Sequence, residues 1–139
     1  MNREIKFRYW DTEKRCFQTS WEGVLSICNG KVGVMKSNHT GDYFDDFKGR
    51  FTPLQYTGCK DKNGKDIYEG DLIKQTIKNR TDFNSDIIHT VEYFEDIATF
   101  GTTYGNCFQT FEDMLKDDDV DWELEVVGNI YENKNLIKV

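Results

Sequence analysis

The chain has 139 residues, 37% of them hydrophobic, with 25 acidic against 18 basic side chains and a formal net charge of −7. The length suits one domain or two small lobes, and 14% aromatics with a single proline argue against a disordered polymer. No apolar run reaches 18 residues, and Met1-Asn2-Arg3-Glu4 lacks the start of a secretory signal, so the expectation is a cytoplasmic protein without a transmembrane helix.

Ile5 to Trp10 alternates apolar and basic residues, the period of a half-buried strand, with Ile5, Phe7 and Tyr9 expected inward and Lys6, Arg8 and Trp10 outward. Asp11 to Lys14 reads as a turn before Cys16-Phe17. Gly23 to Ile27 and Lys31 to Met35 are strand candidates joined through Asn29-Gly30, a hairpin signature. Residues 37–50 read as a polar loop. Phe51 to Thr57 is extended, but Pro53 disfavours a central position in a sheet.

A second hairpin is expected at Asn63-Gly64 with a type I′ turn and solvated flanking charges. Asp71 opens an alternating strand to about Ile77, and residues 78–86 read as a hydrophilic loop. Ile87 to Phe94 and Ala98 to Tyr104 form a hairpin turning near Glu95-Asp96. Thr110 with Asp113 three residues on predicts the start of one helix of at most two turns. Trp122 to Val126 alternates strictly, and Asn129 to Tyr131 continues as strand or turn. Many short strands and one short helix predict a mainly β, barrel- or sandwich-like fold.

The acid is concentrated late. Residues 1–75 carry 13 basic and 11 acidic side chains, whereas residues 76–139 carry 5 and 14. Asp117, Asp118, Asp119 and Asp121 form its densest run, a solvated loop or a patch for a basic partner. Lys6, Arg8 and Trp10 form the opposite candidate surface, a basic and aromatic strand face that would suit a phosphate backbone or, as the favoured reading, one whose Trp10 simply covers a barrel end.

No catalytic or metal-binding constellation emerges. Cys16, Cys28, Cys59 and Cys107 include no close pair, both histidines are isolated, and the cysteines are expected as buried or half-buried free thiols. Asp61 to Asp66 fails the calcium-loop pattern, with glycine at its fourth position and Leu72 at its twelfth. No phosphate-cradling glycine loop occurs. Cys107 and His89 would meet across a hairpin only as any two residues of a small β domain meet. Neither enzymatic activity nor a cofactor is expected.

Three blocks carry a family resemblance. Arg3-Glu4-Ile5-Lys6-Phe7-Arg8-Tyr9-Trp10-Asp11, the stretch from Gln55-Tyr56-Thr57-Gly58 through Asp61-Lys62-Asn63-Gly64 and Ile67-Tyr68-Glu69-Gly70-Asp71 to Ile73, and the ending Glu125-Val126-Val127-Gly128-Asn129-Ile130-Tyr131-Glu132-Asn133 resemble, in order, the signature blocks of the YopX family of phage and prophage proteins. Cys59 stands where leucine is usual, and Leu72-Ile73 replaces an Ile-Val pair. The resemblance implies one YopX-like domain over 1–139 with an SH3-like barrel in the second half, and leaves open whether 1–50 and 51–139 form separate lobes. It implies a bacterial cytosol and brings no catalytic residues. The combined expectation is a phage accessory protein that binds a host or phage protein and forms a homo-oligomer. The alternative is nucleic-acid binding, which the net charge opposes.

Overall fold

Strands dominate the computed structural model, which describes residues 4–18, 25–78, 87–115 and 119–137. Its contacts divide the chain into two units, residues 7–54 and residues 1–6 with 55–139.

In the 7–54 unit, β1 (Phe7–Asp11) pairs antiparallel with β2 (Cys16–Phe17). Strands β3 (Ser26–Cys28) and β4 (Lys31–Asn38) form the expected hairpin, with Asn29 and Gly30 both at positive φ as its tight turn requires. β5 (Gly41–Asp45) then returns along β4, where the sequence suggested only a loop. Most of β5 is exposed, so no alternating apolar signal marks it. Its close approach requires glycine: a Cβ at Gly33 would collide with the Asp45 carbonyl oxygen. The core of this unit is Leu25, Val32, Val34 and Phe51, with Tyr9 and Phe47 against it.

β6 (Phe51–Lys60) begins in that unit and continues into the other. The strand order β2-β1-β6-β7 gives β6 neighbours on both sides, so Pro53 does not keep it at an edge. Three-residue β7 (Asp66–Tyr68) pairs with β6 at Tyr56 and Lys60, past Pro53, so the missing proline N–H costs no bond to β7.

The main sheet of the larger unit contains β8 (Asp71–Ile77), β9 (Ile88–Phe94), β10 (Thr99–Tyr104), β11 (Cys107–Thr110) and β12 (Trp122–Asn129). Their antiparallel order is β11-β10-β9-β8-β12. The register puts Ile73, Val91, Phe100 and Leu124 on one face, where Ile67, Phe111 and Met114 complete the core. Helix α1 (Phe111–Leu115) starts as expected, its Asp113 N–H donating to Thr110 Oγ1 at 3.0 Å. The fold is mainly β with one short helix, compatible with the SH3-like expectation. Among the described residues, no helix is long and apolar enough to cross a membrane.

Candidate functional site

The basic N-terminal stripe does not form an open face. Trp10 is 7% exposed and packs edge-on against Phe17, with ring centroids 5.0 Å apart. The Arg8 guanidinium lies 4.3 Å from the centre of that same Phe17 ring. Lys6 Nζ sits 3.0 Å from Glu4, 2.6 Å from Asp66 and 4.5 Å above the Tyr56 ring. Asp66 and then Glu4 hold its ammonium well above the ordinary lysine range. Ile5, expected inside, is exposed because regular pairing begins only at Phe7. The predicted inward and outward faces are therefore corrected: Trp10 belongs to the interior, and Lys6 and Arg8 are engaged within the molecule.

The acidic run divides as well. Asp119 and Asp121 are exposed; Asp121 lies 3.6 Å from Lys78 Nζ, and its carbonyl accepts the Lys78 N–H. Asp117 and Asp118 lie outside the described residues.

Two other aspartates are structural. Asp11 Oδ1 accepts from the Glu13 and Lys14 N–H groups and from Arg50 Nε, while Oδ2 accepts from Arg50 Nη2 at 2.7 Å. The Arg50 hydrogen bonds, opposed by burial and assisted by the two backbone donors, hold its carboxyl down at about 2. Asp61, expected to be solvated, is buried instead. Its Oδ1 accepts from Asn63 and Lys65, and its Oδ2 accepts from Val126 at 3.0 Å. Burial pushes this carboxyl up, but the three N–H donors outweigh it and hold it below the usual range. Within that turn Gly64 has positive φ and Asn63 does not, so the turn is not type I′. Asp61 organises it as a side-chain-capped turn instead.

Cys107 and His89 do not meet as a nucleophile and base. They lie on β11 and β9 with β10 between them, two strand spacings or about 9–10 Å. The His89 ring instead faces Tyr104 at 5.8 Å, and burial lowers its proton affinity. Cys16, Cys28 and Cys107 are exposed thiols, against the expectation of burial, and Cys59 is half-buried. Burial raises the Cys59 thiol despite a hydrogen bond with Thr57. The three exposed thiols lie on short strands of two to four residues. Among the described residues, no group of three His, Cys, Asp or Glu converges to hold a metal.

Two features escaped the sequence reading. Between Arg80 and Lys116 the chain has no lysine or arginine. The described part of this stretch, 87–115, folds as β9, β10, β11 and α1, and carries Glu92, Glu95, Asp96, Glu112 and Asp113. Tyr93, Ile97, Tyr104 and Phe108 are exposed there, Phe108 by 65%. Phe108 packs against Phe94 at 5.3 Å, and a Cβ at Gly101 would strike the Phe94 ring. A count of cations along the sequence would have revealed this stretch.

The second feature is an open pocket of about 420 Å³ within the larger unit, lined by Gln55, Thr57, Glu69, Tyr93, Ala98, Thr99 and Phe100. Gln55 and Glu69 are tied together: the Glu69 N–H donates to the Gln55 carbonyl at 3.0 Å, and Glu69 Oε2 accepts the Gln55 N–H at 3.4 Å. Tyr93 stands edge-on to buried Phe100, with centroids 5.0 Å apart. Ala98, in the left-handed backbone region at φ 51°, turns the chain from the Glu95–Ile97 3-10 turn into β10. That conformation costs a non-glycine residue about 1–2 kcal/mol.

The YopX protein family model matches residues 6–138. No curated protein matches the chain. Among solved structures, the chain is similar to protein EF1440 from Enterococcus faecalis, at 21% identity and a TM-score of 0.61, covering 99% of this chain and 100% of that one. It is also similar to protein yopX from Bacillus subtilis, at 16% identity and a TM-score of 0.53, covering 96% and 95%. At these identities the likeness is one of fold.

Proposed function

Because the chain belongs to the YopX protein family, whose likeness supplies a fold rather than a reaction, we propose that it is a non-catalytic phage or prophage accessory protein in the bacterial cytoplasm, acting by binding a basic segment of a host or phage protein. The observation that carries this reading is the cation-free stretch 87–115, which combines five acids with exposed Tyr93, Ile97, Tyr104 and Phe108. A stretch rich in acid and free of lysine and arginine attracts a basic partner, and exposed aromatics provide apolar contact area. The engagement of Lys6, Arg8 and Trp10 inside the molecule favours this reading over a nucleic-acid one.

Capture from infected host lysate with tagged protein tests it. Partners should survive nuclease and be released between roughly 0.1 and 0.5 M salt, because screening shortens the reach of exposed charge. Capture that vanishes with nuclease, or that ignores 0.5 M salt, overturns the reading. Self-association belongs to the same proposal, with end strand β11 and its Phe108 as the pairing element. Since copies would juxtapose like charges, light scattering should show association increasing with salt.

A further inference from the structure

We propose that the pocket bounded by Gln55, Glu69, Tyr93 and Thr99 is a receptor for a guanidinium group, the seat of an arginine side chain from the partner. This inference rests on the protein-binding reading and adds the residue that anchors it. Among the described lining residues Glu69 carries the one formal charge, and none of the described lysines or arginines forms an ion pair with it. Among the described cations, Lys6, Lys36, Arg50, Lys60 and Lys62 pair instead with Asp66, Asp45, Asp11 and the Glu123–Glu125 pair.

Glu69 is positioned by its ties to Gln55, which occupy its N–H and Oε2, and Oε1 has no donor among the described residues. Gln55 and Thr99 also line the pocket and carry a neutral amide and hydroxyl, while the Thr57 hydroxyl is committed to the Ile67 carbonyl. Tyr93, which lines the same pocket as Glu69, is 43% exposed and offers an aromatic ring there. A planar, weakly hydrated cation with several donors satisfies both features, pairing with carboxylate oxygen while stacking on the ring; a lysine ammonium satisfies only the charge. The volume, about 420 Å³, lies toward the small end of the roughly 300–1,000 Å³ range of ligand pockets, suiting one side chain with its nearby backbone.

The test is an NMR titration of the full chain, ¹⁵N-labelled, with Nα-acetyl-arginine amide, its uncharged citrulline analogue and free L-arginine. The arginine amide should give saturable shifts at the Tyr93, Thr99 and Phe100 amides, weakened about tenfold in Glu69→Gln and severalfold in Tyr93→Leu, while the citrulline analogue gives none. Tyr93→Leu keeps the test valid if Glu69→Gln disturbs the turn at Gly70. Equal shifts from citrulline, shifts that do not saturate, or unchanged affinity in both variants overturn the pocket. Tighter binding of free L-arginine than of the capped amide overturns the protein source in favour of a small molecule. Salt-sensitive capture of a protein partner that persists unchanged in both variants removes the pocket and leaves the acidic surface standing. Wild-type protein that binds arginine amide but captures no partner removes the protein-binding reading instead.

Discussion

The two units neutralise a buried aspartate in different ways. In the 7–54 unit, with seven basic and six acidic residues, Asp11 takes a two-pronged ion pair from Arg50. In the other unit, with 11 basic and 19 acidic residues, Asp61 is held by three backbone N–H groups and no guanidinium. A unit short of cations buries a carboxylate with peptide dipoles, which change the charge balance not at all. With 19 acids against 11 bases, that unit keeps a net negative charge able to attract a partner. The cores differ too: among the described residues the buried cluster of the larger unit holds seven side chains and that of the smaller unit four.

The sharpest way to break this comparison is through the cores. Ile73→Ala, at a fully buried position, should cost about 3–4 kcal/mol in urea denaturation, and Val34→Ala in the smaller core about 2 or less. Equal losses would show that the smaller core is packed as completely as the larger.

Asp11→Ala comes next, with an expected loss of about 3 kcal/mol, because it removes the two-pronged ion pair of Arg50 and leaves that guanidinium the longer, 3.4 Å pair with exposed Glu13. The pH dependence gives an independent check. The folded-state carboxyl at about 2 lies below its ordinary 3.8, so the native state favours the ionised form. Its contribution, about 2 kcal/mol, is complete above roughly pH 4 and is lost as pH falls toward 2. Acid denaturation of Asp11→Ala should therefore be flatter than wild type over that window. Identical slopes would remove the ion pair from the account.

Asp61→Asn is the mildest change, at about 1–2 kcal/mol by thermal denaturation. The amide oxygen still accepts from the turn, but an NH₂ group replaces one of the oxygens and leaves a backbone donor without its acceptor. A loss as large as that of Asp11→Ala would mean that the negative charge of Asp61, rather than its geometry, holds the turn to β12.

Much of the fold was legible where neighbouring residues decide it. Asn29-Gly30, the Thr110 cap and the alternation from Trp122 each depend on interactions within about four positions. β5 and β11 were not legible, because strands that leave most side chains in solvent carry no apolar period. The proline in β6 misled because its cost depends on where the neighbouring strand stops. The acid-rich half was visible as composition, whereas the pocket draws Gln55, Glu69, Tyr93 and Thr99 from separate segments that no local rule connects.

By itself, the sequence determined the mainly β character, the tight turns, the family blocks and the late concentration of acid. Tertiary structure alone decided which charges remain available. Asp61 meets Val126 across 65 positions, and Arg50 meets Asp11 across 39. Burial and ion pairing arise from contacts between residues distant in the chain, so identical side chains become a structural anchor at one position and a binding surface at another.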